Sequence, residues 1–173
     1  MAILFDLVTV IGSAAVALGM GASTFAIIFY FMSIRNPQLR ETGRPYNKAV
    51  FIVLRVAMVL ILLTELAKIG FYLGAGVHVA ELFAADFLLF VWTLVGVLYA
   101  NAILMTLRSM PMKLGPALQA TSWYALGIIT ALSFVSMSYL PLLLVYAAAV
   151  LIAAVIIELV RQKLTPKTTS AGQ

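Results

Sequence analysis

Residues 48–73 read KAVFIVLRVAMVLILLTELAKIGFYL. A bilayer core of roughly 30 Å takes about 20 consecutive, mostly apolar residues as a helix. This stretch is long enough, and its apolar positions do not alternate as they would in a strand of a membrane barrel. A helix also satisfies its own backbone N–H and C=O groups, which lipid cannot do for it. The stretch therefore reads as a spanning helix, and it carries three ionisable residues inside the span: Arg55, Glu65 and Lys68.

Four more apolar stretches flank it, over residues 7–33, 79–107, 117–137 and 141–160. Asn36-Pro37 closes the first, because proline disfavours helix at the residue before it. Gly74-Ala75-Gly76 closes the central stretch. Residues 109–116 hold two prolines and end the third, with Pro116 placed to open the next helix. Ser138-Tyr139-Leu140 is a short turn into Pro141, a second helix-start proline. The expectation is an all-α polytopic membrane protein. It comprises one domain over 1–163 with five transmembrane helices in an up-down bundle, and a disordered polar tail over 164–173. An odd helix count does not divide into a simple inverted repeat.

Composition agrees. Of 173 residues, 64% are hydrophobic and 10% are charged, against about 25% charged in soluble domains. That excludes a soluble globule, and such apolarity excludes disorder. The chain has no Cys, which removes disulfides, iron–sulfur clusters and thiol catalysis. A single histidine, His78, excludes a haem held by two histidines of this chain. The opening residues, Met1 to Asp6, lack a basic leader pattern, so the first stretch is expected to be a retained span.

The net charge of +5 is a topology signal, with no bearing on nucleic acid. Arg35, Arg40, Arg44 and Lys48 surround the first linker, Arg108 and Lys113 the third, and Arg161, Lys163 and Lys167 follow the last span. The second and fourth turns carry no Lys or Arg. Cations gather on the cytoplasmic side, so the N-terminus is expected outside and the C-terminus inside.

Ionisable residues within spans are costly and default to functional candidates. Lys68 precedes Gly74 by six residues and Asp86 follows Ala80 by six, so both lie roughly 9 Å below the shared outer turn. A Lys68–Asp86 pair is one expectation, and Glu65–Lys68 is an i, i+3 alternative on one helix. Arg55 and Asn101, each seven residues from an inner end, are expected at a common depth. Arg55, Glu65, Lys68, Asp86 and Asn101 thus form the candidate intramembrane polar site. The competing reading is neutralised charge that fixes helix register, with Arg55 snorkelling to the inner headgroups. His78 with Glu81 reads as a solvated interfacial pair, and no metal site, cofactor or catalytic residue is assigned. Ala15, Gly19 and Ser23 form a small-residue stripe suited to close helix packing.

Gly19-Met20-Gly21-Ala22-Ser23-Thr24 in the first span, Val95-Gly96-Val97 through Asn101 with Pro111 beyond, Ser122-Trp123-Tyr124, and Tyr146 in the last span resemble an uncharacterised family of small five-helix bacterial inner-membrane proteins. That family has no established activity and often carries Asp where this chain has Ile27. The resemblance implies a multi-pass protein of the bacterial inner membrane. The layout is more distantly similar to copper-resistance and haem-biosynthesis membrane proteins. Those use histidines within their spans, and this chain has none there.

Three functions stay open on the sequence. The first is a non-enzymatic, transport-like or ligand-binding bundle, embedded in lipid and oligomeric. The second is an accessory subunit of a larger membrane complex. The third is a redox or haem-associated membrane protein.

Overall fold

A computed structural model describes residues 2–36, 44–107, 109–110, 114–132 and 138–164. Those residues form six helices and no strand. The helices are α1 (Ala2–Arg35), α2 (Arg44–Gly74), α3 (Val79–Ala84), α4 (Asp86–Thr106), α5 (Leu114–Ala131) and α6 (Tyr139–Leu164). Four of them, α1, α2 from Pro45, α4 and α6, are long and apolar enough to cross a membrane. The helix α5 has 18 described residues, and Gln119, Thr121, Ser122 and Tyr124 dilute its apolar character. The expected continuation of this stretch through 133–137 lies outside the described residues, as do most of the first linker and the tail beyond Leu164.

Ring contacts set the directions of the helices. Phe5 meets Phe71 and Tyr72 edge-on at one end of α1 and α2, and Phe29 stacks on Tyr46 at the other. The two helices are therefore antiparallel. Phe90 meets Tyr139, joining the starts of α4 and α6. Ala117, Ala154 and Ile157 cluster with Tyr30, Phe31 and Leu114, joining the ends of α1 and α6 to the start of α5. One end of the bundle thus collects Arg35 in the last turn of α1 with Arg161 and Lys163 in the last turn of α6.

The expected helix over 79–107 is broken, and this corrects the sequence reading. Ala85 leaves the helical region, with φ −75° and ψ 108°, so a short α3 is followed by a separate α4. Asp86 opens α4. A carboxylate there interacts favourably with the unsatisfied N–H groups of the first turn, which makes Ala85-Asp86 a natural point to restart a helix. The preceding turn passes through Gly76 at φ 86°, a left-handed conformation open to glycine.

The central helix is α5, which packs on α1, α4 and α6, while α2 lies along α1. Lipid is as apolar as leucine, so helix association here depends on close packing and interhelical hydrogen bonds. The small-residue face of α1 meets that need. Ala15 is fully buried, and a Cβ at Gly19 would stand 2.2 Å from the ring of buried Trp123. One turn on, a Cβ at Gly127 would stand 2.3 Å from Met20 Sδ. Interhelical hydroxyl bonds add to this. Ser122 Oγ donates to Leu118 O, so the Tyr146 hydroxyl at 2.7 Å donates to Ser122. In the same way Thr24 donates to Met20 O and receives Tyr124 at 2.7 Å. The outward faces are apolar: Val145, Leu151, Ile152 and Val155 of α6 all stand exposed. A helix hydrophobic all round belongs in a core or a membrane.

Candidate intramembrane sites on α2

The charges of α2 separate into two environments. In the half towards Gly74, Lys68 Nζ donates to Glu65 Oε1 at 2.6 Å. Glu65 is buried and its partner is mostly so. Thr64, also buried, donates to the carbonyls of Leu60 and Ile61. The helix α1 closes over this group through Gly12, where a Cβ would stand 3.2 Å from Thr64 Oγ1 and 3.8 Å from Lys68 Nζ. The absence of a side chain at Gly12 lets the backbone of α1 approach an ion pair.

The Lys68–Asp86 pair is not formed. Lys68 takes its own-helix neighbour Glu65, while Asp86 is exposed at the start of α4. The reason is the break at Ala85, which turns Asp86 into a helix-start residue.

The half of α2 towards Arg44 holds Arg55. It lies eleven residues from the start of the helix, roughly 16 Å along the axis. Among the described residues no carboxylate or hydrogen-bond acceptor partners it. Glu65 is ten residues further along the same helix, roughly 15 Å away, and is already bound to Lys68.

Arg55 lines a cavity of about 780 Å³ between α1, α2, α4 and α5, and a smaller one of about 410 Å³ towards Tyr99 and Ile103. The larger volume falls within the ~300–1,000 Å³ of small-molecule sites. Its walls are mainly apolar, from residues such as Ile27, Phe51, Leu54 and Met105. Ser23, Tyr30, Thr106 and Gln119 supply polar groups, and none of the described lining residues is acidic. Ser23 is only 2% exposed, and its Oγ has no hydrogen-bond partner among the described residues.

Asn101 and Arg55 are not joined by a hydrogen bond. Asn101 instead ties α4 to α5: Nδ2 donates to Gly115 O at 3.0 Å and to Gln119 Oε1 at 3.1 Å. Its own Oδ1 is buried without a partner among the described residues. Asn101 therefore holds Gln119 in the cavity wall and acts as a positioning group. The Tyr99 hydroxyl, one helical face over, donates to Met58 O at 3.0 Å and ties α4 to α2.

Ala15, Gly19 and Ser23 lie on one buried face of α1. The first two sit in tight packing, whereas Ser23 reaches the cavity wall. Gln119 and Tyr30 are the site residues that sequence reasoning missed. A glutamine inside an apolar stretch is itself a signal, since buried amides require partners.

The arrangement offers one fixed cation, hydroxyl and amide groups, and an apolar lining. Among the described residues no three His, Asp or Glu lie close enough to hold a metal ion. No protein-family model, curated protein or solved structure matches the chain.

Proposed function

We propose that the chain is a five-span protein of the bacterial inner membrane, N-terminus outside and C-terminus inside, that binds a ligand in the cavity around Arg55 without catalysing a reaction. The carrying observation is the cavity of about 780 Å³ that Arg55 lines with no partner among the described residues. A cation retained in an apolar span is costly, and a bound anionic group offsets that cost.

Two features support the topology. The basic residues of the first linker, the third linker and the C-terminal segment fall at alternate turns. The helix α5 packs on α1, α4 and α6, and its Ser122 and Tyr124 hydroxyls are bonded to Tyr146 and Thr24, so these polar groups do not prevent it from spanning.

Because the chain has no Cys, single-cysteine reporters test the topology directly. Ala75→Cys and Ser138→Cys are expected to react with an impermeant maleimide added outside the cell, and Ser109→Cys only after permeabilisation. Ser138 labelled from the inside would reduce the count to four spans. Ligand binding is read by native mass spectrometry of the purified protein. A retained non-protein mass, lost in Arg55→Gln, is the expected result. A wild-type spectrum without any adduct, from membranes extracted in mild detergent, sinks the binding reading.

A further inference from the structure

We infer that the ligand of this cavity is a single-chain anionic amphiphile, whose carboxylate or phosphate headgroup is held by Arg55 and whose tail lies along the apolar wall. The inference rests on the binding reading above and names its ligand class. Four observations carry it.

The first is charge. Among the described residues that line the cavity, Arg55 is the only cation and there is no carboxylate. A guanidinium presents a planar fork of donors that matches carboxylate and phosphate oxygens in pairs. Of the acids in the described residues, Glu65 and Glu158 are bound to Lys68 and Arg161. Asp6, Glu81 and Asp86 lie near the opposite end of the bundle.

The second is the pair of unspent polar groups. Ser23 is nearly fully buried, is one of the lining residues and has no hydrogen-bond partner for its Oγ among the described residues. Buried hydroxyls are normally bonded, and this one sits directly behind the cavity wall with no partner among the described residues. Gln119 spends its Oε1 on Asn101, which leaves its two amide protons for an acceptor. Arg55, Ser23 and Gln119 come from α2, α1 and α5, so the polar groups approach the cavity from three helices.

The third is the rest of the lining. Ile27, Phe51, Leu54 and Met58 are apolar, and methionines such as Met105 and Met110 adapt to irregular shapes. A small hydrophilic anion would leave this surface unused. The fourth is volume: about 780 Å³ suits a molecule of drug size, the scale of one acyl chain.

The test uses the full chain in phosphatidylcholine nanodiscs with a photoactivatable palmitate as probe. Crosslinks are mapped by mass spectrometry, with oleate and methyl oleate as competitors. Crosslinks are expected in residues 23–30 and 115–120. Oleate should compete about tenfold or more better than methyl oleate, the factor that one charge-assisted hydrogen-bond set supplies. Arg55→Gln should lose that preference and Arg55→Lys should keep part of it. Ala26→Phe, which fills the cavity, should abolish the crosslinks while leaving the protein monodisperse.

Equal competition by oleate and methyl oleate, still abolished by Ala26→Phe, overturns the anionic headgroup and leaves a ligand cavity standing. No saturable crosslinking at these segments overturns both. Adding phosphatidylglycerol to the nanodiscs separates the two sources of anionic headgroup. Unchanged crosslinking supports a single-chain ligand, and loss of crosslinking reassigns the cavity to a bilayer phospholipid.

Discussion

The two halves of α2 treat charge in opposite ways. Towards Gly74, Glu65 and Lys68 neutralise each other at 2.6 Å, with Gly12 letting α1 close down over them. Towards Arg44, Arg55 stands beside a cavity, with no partner among the described residues. Both sites are charges within one apolar helix, and composition alone gives them equal weight. Packing separates them. Where a neighbouring helix carries glycine and the charges lie three residues apart on their own helix, they become part of the structure. Where an exposed cation lines a cavity between four helices, with no partner among the described residues, the charge remains available.

Stability measurements can break this comparison. Glu65→Ala strands Lys68 at a packed interface and should cost about 3 kcal/mol, the range for removing one partner of a buried pair. Arg55→Gln removes no intramolecular partner and should change stability by less than about 0.5 kcal/mol. Unfolding in mixed micelles measures both. Equal losses would abolish the distinction between a structural and an available charge.

Packing sharpens it next. Gly19→Leu forces a side chain into the ring of Trp123 and should cost roughly 1–3 kcal/mol or more by overpacking. Ala26→Leu, about two turns along the same face of α1 in the cavity wall, has room for its added carbons and should cost less than about 1 kcal/mol. Similar losses from the two would mean that the cavity collapses in the bilayer.

A small loss is also expected at a bond far from either charge. Tyr146→Phe leaves Ser122 still bonded to Leu118 O, so only one interhelical hydrogen bond is lost. The cost should be about 0.6 kcal/mol, typical of such bonds in membranes. A loss as large as that of Glu65→Ala would place the fold's decisive polar contact between α5 and α6 instead of on α2.

Much of the architecture was legible in the residues. The prolines and glycines at 36–37, 74–76 and 116 punctuate helices because proline and glycine act locally. The stripe through Gly19 was legible for a similar reason, since close helix approach requires small residues at helical spacing. The break at Ala85 was not legible. No proline or glycine marks it, and Asp86 resembles any other intramembrane acid until its place at a helix start is known. The partner of Lys68 was equally open, because Glu65 and Asp86 both stood at workable distances. The central place of α5 ran against its hydropathy: over its described residues it is not among the helices apolar enough to cross a membrane, yet it packs on α1, α4 and α6.

By itself the sequence determined that the chain is built of long apolar helices, since a helix satisfies its own backbone hydrogen bonds in a lipid-like solvent. It also determined which few charges would need an explanation. Only the tertiary structure decided which of them are spent on one another. A helix places a residue along its axis, whereas pairing depends on which faces meet and on how closely two backbones can approach. That approach is close at Gly12, beside Lys68, and it is absent around Arg55.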